Sequence, residues 1–320
     1  MTPADLSLTV QHAVRRAVDD GALRVDVPSR VAVEKARPGG VGEYASSVAL
    51  SLARPAGRPA LDVASVLKER LDGAAGILAV DITGPGFLNF TLREDGAAGL
   101  VRAVLAAGTS YGQGDALAGE SVRFEPPVEA RASIVVGCLT GLLRGQGAEV
   151  STGTGGERPH VHPGTDDTAR LGTDAARWRL LRAAPHDRPL DGAPLLVPHE
   201  RNPLFRVRYA HSRARRLVVN GAQLGVLPAY TTEVADPLVG LLRDHPGVLL
   251  AAARHRAPDR VARHLEAVAD ALLGFQHGVL PLGDEKPSAA HRSRLALAEA
   301  AGTVLAGGLS VLGISAPDRI

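Results

Sequence analysis

The chain has 320 residues, 45 % of them hydrophobic and 22 % charged, with a formal net charge of +2. That length suits two or three domains with cores of their own, and the composition excludes a disordered or collagen-like chain. A charge so close to neutral excludes polyanion binding through the overall field, so any such affinity has to come from local patches.

Of 36 basic residues only Lys35, Lys68 and Lys286 are lysines. With arginine so abundant, an arginine by itself says little about binding. Cys138 is the single cysteine, which rules out an intrachain disulfide and suits a reducing, cytoplasmic setting. The N-terminus carries no signal-peptide pattern and no apolar run approaches ~18 residues, so neither export nor membrane insertion is expected.

In chain order, residues 4 to 20 carry the helical period through Leu6, Val10, Ala13, Val14, Ala17 and Val18, with Gly21 as a stop. Val31 to Glu34 reads as a strand, and Tyr44 to Leu52 and Ala60 to Leu71 as helices. Ile77 to Ile82 and Phe87 to Leu92 are two apolar runs broken by Gly84-Pro85-Gly86, a hairpin signal. Ser121 to Pro127, Ala132 to Gly145 and a run from Ala148 read as strand, helix and the beginning of a second strand. Gly153-Thr-Gly-Gly156 reads as a hinge, since no Gly-Lys-Ser/Thr follows to make it a phosphate loop. His160 and His162 stand at i, i+2 but lack a third ligand at a diagnostic spacing, so no metal is expected, and no other cofactor is expected either. From Asp174 onward the pattern is helical: 174 to 184, 202 to 219, 233 to 242, 246 to 256, 259 to 275 and 288 to 312, with Pro237, Pro246, Pro258 and Pro287 at starts.

The segment from Asn202 to Arg216 is chemically the most informative. At about 100° per residue it puts Leu204, Val207, Ala210, Ala214, Leu217 and Val218 on one arc and Arg206, Tyr209, Arg213 and Arg216 on another. An aromatic ring among guanidinium groups suits nucleic acid, because arginine meets phosphate and both can stack on bases. A solvated basic helix face would give the same pattern.

Here the residues resemble a known family. Phe205-Arg-Val-Arg-Tyr-Ala-His-Ser-Arg213 is similar to the Tyr-Val-Gln-Tyr-Ala-His-Ala-Arg signature that opens the anticodon-binding domain of arginyl-tRNA synthetases. Gly172-Thr-Asp-Ala-Ala-Arg177 resembles that domain's Asp-Ala-Leu-Arg motif. Residues 308 to 320 resemble its Leu-Leu-Gly-Ile-x-x-Pro-Glu-Arg-Met end, with Ile320 for Met. Gly42-Glu-Tyr-Ala45 and Gly84-Pro-Gly-Phe-Leu-Asn-Phe90 resemble the family's N-terminal domain, which touches the outer corner of tRNA. The resemblance implies that Asn89, beside Phe87, addresses a D-loop base. A polar residue on the solvent face of a hairpin remains the plain alternative for Asn89, and core packing the alternative for Phe87 and Phe90.

The same resemblance exposes a gap. Pro127-Val-Glu-Ala-Arg131 occupies the place of the family's Pro-Asn-x-Ala-Lys, and no histidine follows in residues 132 to 137, where the family has a pair that meets ATP phosphates at a helix N-terminus. The lysine-rich loop expected before the anticodon domain has no counterpart, for no lysine lies between Lys68 and Lys286. Residues 150 to 172 are too few for further βα units of ~30 residues each. Other departures are Arg208 for Gln, Gln276 beside Phe275 for Tyr, and His264 for Tyr.

The expectation is therefore an α+β protein with three parts: a small α/β N-terminal domain over 1–118, a remnant βα connector and linker over 119–165, and an all-α anticodon-binding helix bundle over 166–320. It is expected to bind tRNA, with possible arginine identity, without catalysing its charging. Phe87, Asn89, Arg206, Tyr209, His211, Arg213 and Arg216 are the candidate RNA-binding residues. The alternatives are a tRNA-presenting subunit for a separate catalytic partner, and an interaction scaffold that no longer meets RNA.

Overall fold

A computed structural model describes residues 3–36, 41–74, 76–92, 96–231, 234 and 237–320. The fold is α+β and divides into two compact units, Met1–Asp95 and Gly96–Ile320.

In the first unit helix α1 (Pro3–Asp19) is followed by strands β1 (Glu34–Lys35) and β2 (Tyr44–Ser46), helices α2 (Val48–Ala56) and α3 (Ala60–Leu71), and the hairpin β3 (Ile77–Thr83) and β4 (Phe87–Leu92). The sheet is antiparallel in the order β1-β2-β4-β3. Leu88 and Phe90 alternate onto the face that packs with Leu6, Val10, Val63 and Leu67, and Phe87 and Asn89 onto the other. The sequence pattern placed a helix from Tyr44, whereas Tyr44 to Ser46 pair with Phe90 to Leu88 as a strand. The helix begins only after Ser46, whose hydroxyl donates to Ala32 O at 2.7 Å and accepts from Val48 N at 3.3 Å.

The hairpin turn depends on its glycines. Gly84 has φ 52° and Gly86 φ 136°, and a Cβ on Gly86 would lie 2.9 Å from Ala60 O. Gly86→Ala is therefore expected to cost the first unit about 1–3 kcal/mol. Amide exchange across residues 77 to 92 would report the loss; protection equal to that of the parent chain would show that the turn relaxes without cost.

The second unit begins with α4 (Ala97–Ala107) and a 3-10 turn (Gly108–Ser110) that pack on later helices of the same unit. The division thus falls at Asp95 and Gly96, whereas the sequence reading set it near 118: Ala97, Val101 and Val104 bury their apolar stripe in the helical unit. Strand β5 (Ser121–Phe124), helix α5 (Ala130–Arg144) and strand β6 (Glu149–Thr152) form one parallel βαβ crossover. The rest is helical: α6 (Thr168–Leu171), α7 (Thr173–Arg182), α8 (Pro203–Gln223), α9 (Pro237–Arg254), α10 (Asp259–Phe275) and α11 (Ala289–Val311). By length and composition α11 could cross a membrane, yet 67 % of its apolar window is buried here. It is the core helix of the bundle, packed against α8, α9 and α10.

Two expected helices on either side of Pro246 are one continuous helix, α9; the expected start at Glu233 lies outside the described residues. Proline 246 has no N–H for the carbonyl four residues back. That carbonyl, Leu242 O, instead accepts from the buried Tyr111 hydroxyl at 3.3 Å, which removes the main reason for the helix to break.

A two-stranded sheet has two open edges, which invite unwanted pairing. After β6 the chain turns through Gly155 and crosses to the far edge of β5, where Glu157 N donates to Arg123 O at 2.7 Å and Glu157 O accepts from Glu125 N at 3.0 Å. A Cβ on Gly156 would lie 2.6 Å from Phe124 C, so glycine is needed for this approach. Arg256 holds the Glu157 carboxylate at 2.9 Å. On the β6 side, Arg144 Nη2 donates to Val150 O at 3.0 Å. The stretch read from sequence as a hinge is therefore pinned as an edge cover.

Candidate nucleic-acid interface

Helix α8 starts with Asn202, whose Oδ1 accepts from Phe205 N at 3.1 Å while Nδ2 donates to Leu195 O and Val197 O. Pro203 takes the first helical position, where a missing N–H is harmless. The 3.6-residue period then deals out distinct faces. Leu204, Val207, Ala210, Ala214 and Leu217 are buried. His211, Ser212 and Arg215 hold the last segment of the chain, bonding Pro317 O at 3.1 Å, Asp318 O at 3.0 Å and the Asp318 carboxylate at 3.0 Å respectively.

Helix α7 grips the same segment from the other side. Asp174 and Arg177, at i and i+3, share one face. The Asp174 carboxylate accepts from Ser315 N at 3.1 Å and from its hydroxyl, and lies 3.6 Å from Arg208. Arg177 Nε donates to Leu312 O at 3.1 Å and fills the space where Gly313, at φ 68°, has no side chain. The Asp-Ala-Ala-Arg motif is thus the clamp that shapes the residues after α11.

The candidate RNA-binding residues separate by environment. Tyr209 is 40 % exposed and stacks on Phe205 with centroids 5.7 Å apart and planes 15° from parallel. Arg216 is exposed and has no ion pair or hydrogen bond among the described residues. Arg206 lies 3.2 Å from the Asp270 carboxylate, and Arg213 Nε donates to Gln276 Oε1 at 2.6 Å, so both are partly engaged within the bundle. His211 is only 4 % exposed. Burial pushes its pKa down, partly offset by the bond to Pro317 O. It fastens the C-terminal segment instead of standing beside Tyr209 on the outer face.

Beside the stacked rings opens a cavity of about 350 Å³ whose walls include Leu196, Val197, Phe205, Arg208, Arg319 and Ile320. Its volume lies at the lower end of the range for small-molecule sites. Leu196 and Val197 come from a loop with no periodic signal, so the sequence reading missed them. Their only cue was two exposed-type apolar residues in a proline-rich stretch.

In the first unit Phe87 is 39 % exposed and Phe90 fully buried. Asn89 is 7 % exposed, not on a solvated surface; its Nδ2 donates to Thr83 Oγ1 at 2.7 Å and reaches Phe87 O at 3.4 Å. Its side-chain oxygen has no protein donor among the described residues. Asn89 pairs in register with Ala45 and Asp81, so its amide is held rigidly at the middle of the sheet face opposite the core.

Arg131, which stands where the resembled family has lysine, has a structural role here. Arg131 is fully buried and its guanidinium donates to five backbone carbonyls: Nε to Leu180 at 3.0 Å, Nη1 to His162 at 2.9 Å and Asp187 at 2.7 Å, and Nη2 to Ala183 and Ala184, both at 2.9 Å. Three of these carbonyls cluster at the end of α7, where the helix dipole favours a cation. All five N–H donors of the side chain are used, and none is left for an anion. Neighbouring Glu129 caps α5 through Ala132 N at 3.0 Å and holds Gly164 N at 2.7 Å.

Comparison with known proteins agrees with both halves of this geometry. Residues 6–92 match the arginyl tRNA synthetase N terminal domain and residues 207–320 the DALR anticodon binding domain. The chain is an arginyl-tRNA synthetase-like protein. It is 50 % identical over 125 residues to an arginine–tRNA ligase of Frankia alni, which covers 39 % of this chain and 23 % of that protein. It is 40 % identical over 166 residues to one of Micrococcus luteus, covering 47 % and 30 %. These matches span less than a third of either relative. The fold of the synthetase-like chain is shared with arginyl-tRNA synthetases of Thermus thermophilus, at TM-score 0.57 and 13 % identity over 100 % of both chains, and of Plasmodium falciparum, at 0.56 and 8 % over 99 % of both.

Proposed function

We propose that this synthetase-like protein binds tRNA without charging it, in a cytoplasmic setting. The observation that carries the reading is the Phe205–Tyr209 stack beside an open cavity with Arg208 and Arg319 in its wall, at the start of the region that matches the DALR anticodon binding domain. An aromatic platform beside an apolar cavity with guanidinium groups at its edge is what an unstacked base and its phosphates require; Arg208 is shared with Asp174 and Ser315. The rigid Asn89 amide, with an unclaimed acceptor beside exposed Phe87, supports a second contact at the D-loop corner. Support for the absence of charging comes from Arg131, which is spent entirely on carbonyls, and from the pinned strand after β6, which occupies the sheet edge where further strands would add.

In filter-binding titrations with bulk tRNA, Tyr209→Ala is expected to weaken binding by about 1–3 kcal/mol. Replacing Arg216 and Arg319 together by Ala should flatten the slope of log K against log salt by roughly one to two units. Arg206→Ala should change the slope less, because Asp270 already neutralises it. Asn89→Ala should weaken intact tRNA and leave a bare anticodon stem-loop unaffected. Arginine-dependent ATP–pyrophosphate exchange by the purified chain would end the non-catalytic reading.

A second reading is favoured by the Arg206–Asp270 and Arg213–Gln276 contacts, which turn part of the basic face inward: an interaction scaffold without RNA. Absence of saturable tRNA binding even at low salt, in the parent chain and in the Arg216 and Arg319 variant alike, would select it. A tRNA-presenting role beside a separate catalytic protein keeps all the binding predictions and adds a stable co-purifying enzyme.

A further inference from the structure

A second cavity, of about 360 Å³, lies between α8, α11, the 3-10 turn at Gly108–Ser110 and the C-terminal segment. Close approach of the backbones sets its walls. A Cβ on Gly302 would lie 2.8 Å from Ala214 Cβ, and one on Gly307 would lie 2.7 Å from Thr109 O, so α8 and the turn both press on α11 where it has no side chains. Ala214, Val218 and Ala306 give the cavity an apolar lining, suited to an aliphatic body of a few carbons.

The polar groups facing this space have uneven hydrogen-bonding needs. Thr303 directs its hydroxyl proton to Glu299 O at 3.0 Å. Arg215 is engaged by the Asp318 carboxylate at 3.0 Å. His211 Nδ1 meets Pro317 O at 3.1 Å; a carbonyl only accepts, so Nδ1 carries the proton and Nε2 is left as an acceptor. The Glu299 carboxylate has no hydrogen bond or ion pair among the described residues and is half-buried. With His211 neutral, Glu299 and Asp318 against Arg215 leave the cavity one net negative charge. Burial also raises the Glu299 pKa, against the pull of Arg215. A half-buried carboxylate without a donor is costly and is relieved by a charged partner.

We propose that this cavity binds a small organic cation, an aliphatic chain ending in an ammonium or guanidinium group, whose N–H donors meet the Glu299 carboxylate and His211 Nε2. The site is separate from the cavity beside Tyr209 and its occupancy does not depend on RNA binding. The aliphatic part lies along Ala214, Val218 and Ala306, and the charged head replaces water at Glu299.

The test is calorimetric titration of the full chain at low ionic strength with butylammonium and with propylguanidinium chloride, and with 1-butanol as the uncharged control. At least one cation should bind saturably with a Kd on the order of 1 mM, and the alcohol at least tenfold more weakly. Glu299→Gln keeps the shape, removes the charge and should weaken the cation at least tenfold, while Ala306→Leu should fill the cavity and abolish binding. Trp178 fluorescence on urea unfolding confirms that each variant is folded. The cation that binds more tightly identifies the head group. Absence of saturation for both cations, equal binding of the alcohol, or unchanged affinity in a folded Glu299→Gln variant would each overturn the proposal.

Discussion

Arg131→Met is expected to cost the helical unit on the order of 5 kcal/mol, a large share of the ~5–15 kcal/mol that holds a domain together. The methionine fills much of the volume but leaves the carbonyls of residues 162, 180, 183, 184 and 187 without this donor; those of 180, 183 and 184 are in buried bonds, and each buried bare acceptor costs about 1–3 kcal/mol less what relaxation recovers. Arg131→Lys keeps the charge but has three donors on a point-like head, against five acceptors arranged for a planar fork. It is expected to lose about 3 kcal/mol. Trp178, the single tryptophan, is fully buried in α7 next to these carbonyls, so its fluorescence on urea unfolding reports the loss directly. A Met variant within 1 kcal/mol of the parent chain would show the carbonyl cage to be decorative.

The same contact explains how a lone βαβ crossover persists in this fold. Such a unit would normally bury both faces under neighbouring strands and helices. Here α5 is fixed at its first turn by Arg131 and Glu129, β5 is covered by Glu157, and β6 by Arg144. An anion arriving at the α5 N-terminus would find the guanidinium already saturated.

Much of this was legible in the sequence. The 3.6-residue period located α8 and α10 to within a few residues, and the Gly84-Pro85-Gly86 break located the hairpin, because these signals are local. The errors have identifiable causes. Tyr44 to Ser46 form a strand because β4 provides a partner, a nonlocal fact that overrides a helical pattern. Pro246 does not end its helix because Tyr111, 135 residues earlier in the chain, supplies the missing donor to Leu242 O. For the candidate site, Tyr209 and Arg216 emerge exposed as the helical wheel implies, whereas His211 turns beneath the C-terminal segment and Arg206 meets Asp270. A helical wheel assigns a side chain to an arc but not to the partner that a different helix brings there. Arg131 was visible only as a departure from a family pattern. Its five carbonyl partners are main-chain atoms, which leave no trace in residue identity.

Lowering the pH from 7 to 5 is expected to destabilise the helical unit by about 4 kcal/mol through His245 and His264. The two rings are buried at 1 % and 8 % exposure and stack 5.3 Å apart, with Tyr111 on the far side of His245 at 6.1 Å. Desolvation brings the His245 pKa down to about 3, helped by the neighbouring His264, and that of His264 to about 4 against the pull of Asp244. Both stay neutral when folded and titrate near 6.5 when unfolded. Below about 6.5 the unfolded chain therefore binds more protons than the folded one, and stability falls with pH until the folded values near 4 and 3 are reached. Each histidine contributes about 2 kcal/mol between pH 7 and 5. His211, also lowered, adds a loss of the same sign, and Glu299, raised, opposes it; the informative quantity is thus the difference between parent and variant. His264→Phe keeps a stacking ring and removes one titration, so urea midpoints at pH 7 and 5 should show about 2 kcal/mol less pH dependence in the variant than in the parent. Equal losses in the two proteins would mean that water reaches this pair and that its charge is already solvated in the folded state.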